Sequence, residues 1–379
     1  MTVVPPSGHK PRHEHSVPLL WPFAAGIELE EEGLKMFADN VKFVAEAEEM
    51  AAPRPPDWAT PNHVPLDLDT MRLRDFAPDT AIAAGGVPVL IDAPYAGHSA
   101  TIADYAKGQS LVETLQAGGI GRVLVTDWKP ATEGMKYFDI DKYLAELNVV
   151  VDEQGGEAIL VGLCQGGWMS AMYAARFPGK VHALVLAGSP IDTHAGHGPL
   201  KRMVHDLPTS FYTEMVEAGG GLMRGQTMLA GWKNMHPGEQ YLGKFVDLYE
   251  HVEDPKYLKR TEAFERWYEN PIDLPGRYYL QAITLLFREN RLALGHFIAL
   301  GRRIALRDIR CPLYLLAGEA DDITTKEQVF AAAGLVGTPA AQIEQLLVPG
   351  GHIGLFMGTR TLAETWPRIA AWLLANGAA

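Results

Sequence analysis

Gly162-x-Cys164-x-Gly166-Gly167 follows the apolar run Ile159–Leu163 and precedes an alanine-rich amphipathic stretch, Met169–Phe177. A buried strand turning sharply into a helix would carry Cys164 at the corner as a nucleophile. Glycines suit the flanks of a turn too tight for side chains. A thiol at a helix N-terminus is favoured as thiolate, and the backbone N–H of Gln165 faces the same space. The chemistry implied is acyl transfer through an acyl-cysteine. A structural cysteine on a strand–turn–helix corner is the plainer reading, and the pattern alone does not exclude it.

Two later segments favour chemistry. Gly318-Glu319-Ala320-Asp321-Asp322-Ile323-Thr324 follows one apolar run, and Val348-Pro349-Gly350-Gly351-His352-Ile353-Gly354 follows the next. Loops at the carboxyl ends of parallel strands gather on one sheet edge, where ligands bind. His352 would take the thiol proton and return it to the leaving group. Asp321 would hold the imidazole tautomer and stabilise its charged form. Asp322 is the competing carboxylate; Asp321 is preferred because Ile323, two positions on, can tuck into the core and aim the earlier residue outward. The oxyanion hole would combine the Gln165 N–H with an N–H from the Tyr95-Ala96-Gly97 loop. Trp168 and His98 are expected beside the substrate, His98 as a structural hydrogen bonder rather than a second base.

These loops need strands to carry them. Val87–Ile91, Arg122–Trp128, the run into the elbow, Ala183–Gly188, Pro312–Gly318 and Glu344–Val348 read as strands, after an early alternating strand at Met71–Phe76. Helices are expected near Ser110–Ala117, Ile140–Glu153 and Leu362–Leu374. Strands alternating with helices predict an α/β fold, a mostly parallel central sheet flanked by helices. Residues 192–308 show no convincing buried strand. They hold helical stretches rich in aromatic residues, among them Trp232, Tyr241, Phe245, Tyr249, Phe264, Trp267, Tyr268, Tyr279 and Phe287. Most of these rings are expected to form the core of an inserted helical cap. The expected division is 1–60 as an arm and helix, 61–191 with 309–379 as core, and 192–308 as cap. Within the first part, Pro- and His-rich residues 1–25 read as a flexible arm, and 27–50 as an amphipathic helix with an acidic start.

The chain has 379 residues, 47% of them hydrophobic, and a net charge of −13. Such charge argues against nucleic acid, whose phosphates require clustered Lys and Arg. No apolar run is long enough to span a bilayer, and no signal peptide is visible. The cysteines Cys164 and Cys311 are too few for a disulfide framework, so a cytoplasmic protein with reduced thiols is expected. The arm's histidines lack metal-site spacing; neither metal nor cofactor is implied.

The residues resemble the polyhydroxyalkanoate enzymes, the α/β-hydrolase group with a cysteine nucleophile, and within it the intracellular polyhydroxybutyrate depolymerases. The resemblance is carried by Ala93-Pro94-Tyr95-Ala96-Gly97-His98-Ser99-Ala100-Thr101, Thr126-Asp127-Trp128 with Phe138-Asp139-Ile140-Asp141-x-Tyr143, and the acid and histidine loops through Arg360. Asp273-Leu274-Pro275 with Tyr279-Leu280-Gln281 is similar to part of that group's cap. The resemblance implies an α/β-hydrolase fold, hydrolysis of short-chain polyhydroxyalkanoate or its oligomers, and association with polymer granules. Cys164-Gln165-Gly166-Gly167 departs from the pattern and looks like the GxCxGG box of the synthases. The alternatives are therefore a synthase using hydroxyacyl-CoA, or a granule-binding protein with an idle triad.

Overall fold

The structure is a computed structural model that describes residues 55–77, 86–235 and 255–378. The expected arm and acidic helix lie outside these residues, as do Tyr241, Phe245 and Tyr249. The central sheet has eight strands: β1 (His63–Asp67), β2 (Met71–Asp75), β3 (Val89–Asp92), β4 (Val123–Trp128), β5 (Ala158–Leu163), β6 (Val181–Ala187), β7 (Leu313–Gly318) and β8 (Ile343–Val348). Their spatial order is β1-β2-β4-β3-β5-β6-β7-β8. β2 runs antiparallel to both its neighbours, and every other pairing is parallel. This is the α/β-hydrolase fold.

Burial explains which strands the sequence reveals. Every residue of β3, β4, β5 and β7 is buried, so each reads as a continuous apolar run. β1 is not anticipated in the sequence: it is an edge strand, largely exposed, with Pro65 inside it. Three of the covering helices are α1 (Leu111–Ala117), α2 (Ile140–Glu153) and α3 (Gln165–Arg176). Ser110 and Asp139 cap the first two, accepting from Glu113 N at 2.9 Å and Lys142 N at 3.2 Å. The last helix begins at Trp366, later than expected, because Thr361–Thr365 forms a wider π turn ahead of it.

Between β6 and β7 the described chain is mainly helical: α4 (Pro199–Asp206), α5 (Thr209–Ala218), α6 (Gly225–Met235), α7 (Pro255–Tyr268) and α8 (Gly276–Gln281). It adds no strand to the central sheet. Leu222–Met223 pairs with Leu274–Pro275, and Ile298–Ala299 with Arg302–Arg303. The aromatic rings are not chiefly an independent core. Trp232, Phe264, Trp267, Tyr268, Tyr279 and Phe287 face a cavity that they share with the sheet edge. Such a surface shows the same composition as a core, so the sequence does not separate the two.

Candidate active site

Cys164 sits between β5 and α3 at φ 50°, ψ −115°, where residues bearing a Cβ seldom sit. Surrounding contacts hold it there. Cys164 N donates to Ala187 O at 2.8 Å, and Gly167 N donates to Cys164 O at 3.0 Å. A Cβ on Gly162 would lie 2.4 Å from Gly167 Cα. One on Gly166 would lie 2.0 Å from Asp92 O, and one on Gly167 1.7 Å from Ser189 Oγ. The start of α3 is thus pressed against the ends of β3 and β6. Packing alone requires the glycine pair, whatever group later accepts an acyl unit.

His352, in the loop after β8, is buried, and its Nδ1 lies 2.7 Å from Asp321 Oδ2. With Nδ1–H donating to the carboxylate, Nε2 is left as the base. Asp321 is fixed in turn: its Oδ1 accepts from Ile323 N at 3.1 Å and Thr324 N at 2.8 Å. Burial pulls the imidazole pKa down, but the neighbouring Cys164 and Asp321 outweigh it and hold it well above the usual histidine range. Asp321 also hydrogen-bonds the ring. The arrangement favours the charged imidazolium beside the Cys164 sulfur. Ile323 does not tuck into the core as expected; it lines the cavity, as Asp322 does. The two backbone N–H groups, rather than an apolar anchor, aim Asp321.

Across the opening runs the loop after β3. Pro94, Tyr95 and Ala96 border the same cavity as Cys164 and Gln165. The Tyr95 hydroxyl bonds Lys129 O at 3.1 Å and Asp273 O at 3.3 Å. Gln165 opens α3, and the first amides of a helix have no acceptor within it. Its N–H and the loop's N–H groups are the candidate oxyanion donors. His98 lines the same cavity and acts as a hydrogen bonder there: Nε2 meets Tyr268 O at 2.9 Å, and the ring stacks 4.6 Å from Trp267. Burial lowers its pKa to about 4, which keeps it neutral. Trp168 borders the cavity and is itself 1% exposed.

One buried carboxyl escapes the sequence reading. Asp92 ends β3 and accepts from Ser170 Oγ of α3 at 2.9 Å and from Thr126 Oγ1 of β4 at 3.4 Å. Hydroxyls rather than cations face it. Burial pushes its pKa from 3.8 up to about 8, so it is neutral at pH 7. The folded chain then keeps a proton that the unfolded chain releases. Stability from this group is full below about pH 4 and is lost as pH rises to about 8. Asp92→Asn lacks that loss. Its melting temperature relative to the unsubstituted protein should therefore rise between pH 5 and 8.5; a constant difference would show that Asp92 is not held neutral.

The cavity has a volume of about 490 Å³. Cys164, His352 and Gln165 bring polar atoms to one part of it. Most of the remaining wall is apolar, from Met203, Leu207 and Phe211 on one stretch to Met223, Met228 and Trp267 on another. The loops after β3, β5, β7 and β8 and the helices between β6 and β7 all contribute to it.

A family described as "Protein of unknown function (DUF3141)" matches residues 65–335. The chain belongs to this family. The DUF3141 match takes in Cys164 and Asp321 and ends before His352. Among curated proteins, this DUF3141 chain is 28% identical over 325 residues to the poly(3-hydroxyalkanoate) polymerase subunit PhaC of Haloferax mediterranei, covering 83% of this chain and 63% of that protein. It is 25% identical over 383 residues to the protein of the same name from Synechocystis sp., covering 95% and 97%. The one from Allochromatium vinosum is 25% identical over 307 residues, covering 78% and 83%. The chain thus spans a little under two thirds of the Haloferax relative. Among solved structures, a monoacylglycerol lipase from Paleococcus ferrophilus aligns with TM-score 0.50 and 17% identity, covering 81% of this chain and 99% of that one. At that identity the likeness concerns the fold. No helix among the described residues is long and apolar enough to cross a membrane.

Proposed function

We infer that the protein transfers 3-hydroxyacyl units through an acyl-cysteine on Cys164, from a thioester donor to a hydroxyl acceptor, as a polyhydroxyalkanoate polymerase would. The observation that carries this reading is a cysteine, not a serine, set against a buried histidine–aspartate pair in a mainly apolar cavity. Acylating a thiol from a thioester exchanges one thioester for another and is close to balanced. Passing that acyl group to a hydroxyl makes an oxygen ester and runs downhill. Starting from an oxygen ester, the same thiol must first climb. The names of the relatives support the same direction.

In this mechanism the Cys164 thiolate attacks the thioester carbonyl, and the oxyanion turns toward the Gln165 N–H and the Tyr95–Ala96 loop. The C–S bond to the leaving thiol breaks, and His352 returns the proton to that thiol. The hydroxyl of a second hydroxyacyl unit then gives its proton to His352 and attacks the acyl-cysteine. The ester forms and the cysteine is freed. Asp321 keeps the imidazole oriented through both halves. The helices between β6 and β7 act as a cap that limits water at the acyl-cysteine.

Hydrolysis of the polymer is the second reading, favoured by the acid and histidine loops and by segment 273–281, which resemble the depolymerases. It uses the same residues with water as acceptor. Offering 3-hydroxybutyryl-CoA and amorphous polyhydroxybutyrate granules side by side separates the two. Release of free CoA with growth of insoluble polymer is the expected result. Release of hydroxyacid or oligomers from granules, with the CoA ester untouched, would replace this reading with hydrolysis.

A further inference from the structure

Segment 273–281 fastens the chain between β6 and β7 to the rest of the molecule. Asp273 O accepts from Ala131 N at 2.9 Å, while its carboxylate braces the same stretch internally by accepting from Gly225 N at 2.8 Å at the start of α6. Gln281 Oε1 accepts from Ile140 N at 2.9 Å, at the start of α2. Between these ties lies Tyr278, 0% exposed, whose Oη accepts from Gln165 Nε2. Its ring meets Tyr95 edge-on at 5.5 Å. Gln165 follows the candidate nucleophile directly, and Tyr95 lies in the loop facing it. One side chain thus touches the side chains of two residues, Gln165 and Tyr95, whose backbone borders the acyl carbonyl's place.

We propose that Tyr278 is a positioning residue that sets the spacing of the oxyanion hole, through the Gln165 side chain on one side and the Tyr95 ring on the other. The inference rests on Cys164 being the nucleophile, but not on which acceptor follows. Gln165 Oε1 is buried without a partner among the described residues. Removing the Tyr278 hydroxyl therefore leaves the whole buried amide unpaired, and it must move to find a partner. Gln165 is the first residue of α3, so this side chain leaves the backbone directly beside the candidate oxyanion N–H. Oxyanion donors act only where they meet the developing charge, and a small misplacement is felt in the chemical step rather than in binding.

The test follows acylation of the full chain by p-nitrophenyl butyrate, with the adduct located by mass spectrometry. This small ester probes the nucleophile whichever direction the natural reaction takes. Tyr278→Phe keeps the ring and should slow acylation by about ten- to a hundredfold, with KM within about twofold and the melting curve retained. Gln165→Met removes the same bond from the other side and should show a similar loss. The double variant should be no slower than the worse single one. Acylation of Tyr278→Phe at the unsubstituted rate, or losses that multiply in the double variant, would overturn the proposal. Should Tyr278→Phe not fold, Gln165→Met alone decides, an unchanged rate again overturning it. An unsubstituted protein that gains no adduct on Cys164 would overturn the nucleophile assignment instead, and is read separately.

Discussion

Cys164→Ala is expected to give a folded protein that turns over no substrate. Alanine keeps the Cβ that the corner already accommodates at φ 50°, and it leaves Gly162, Gly166 and Gly167 in their tight contacts. Only the sulfur is lost. Removing a nucleophile from a comparable triad costs on the order of 10⁶ in kcat. Chemical modification gives an independent check. The Cys164 sulfur lies beside an imidazole biased toward its charged form, whereas burial pushes the Cys311 thiol up to about 11. Iodoacetamide near pH 7 should inactivate the protein with label on Cys164. Inactivation with label confined to Cys311 would remove Cys164 from the mechanism.

The second large effect is expected at Asp321. An asparagine there can turn its NH₂ toward His352 Nδ1, which then needs no proton on that nitrogen. The proton moves to Nε2 and the base is lost. In a serine triad the corresponding change costs about 10⁴ in kcat. Asp322→Asn should cost far less, because Asp322 faces the cavity while Asp321 Oδ2 holds the ring at 2.7 Å. Rate constants for the two variants on one substrate decide the matter, and the reverse ranking would move the role to Asp322.

The legible parts of the chain are those where one local pattern determines one local geometry. Wholly buried strands read as apolar runs, and glycines around a lone cysteine read as a sharp corner. The rest depends on partners far apart in sequence. Asp321 is aimed by Ile323 N and Thr324 N, a detail of turn geometry hidden behind an argument about Ile323 and the core. Tyr278 reaches Gln165 across more than a hundred positions. Asp92 looks like an ordinary strand-end aspartate until burial among hydroxyls is seen. The glycine pair at 166 and 167 is plain in the sequence, yet its closeness to Asp92 O and Ser189 Oγ is not. Read alone, that pair looks like a mark of the acceptor.

Both cysteines are free, and they stand at opposite edges of the sheet. Cys164 follows the carboxyl end of β5, while Cys311 precedes the amino end of β7, which runs parallel to it through β6. A six-residue strand spans about 20 Å, far beyond the Cα separation of about 6 Å that a disulfide allows. A peroxide that converts Cys164 to a sulfenic acid therefore meets no second thiol of the same chain able to trap it as a disulfide. Rescue must come from a small thiol that enters the cavity, and without one oxidation runs on to the sulfinic acid, which such thiols do not reverse. The reducing power of its surroundings thus sets the working lifetime of this sulfur.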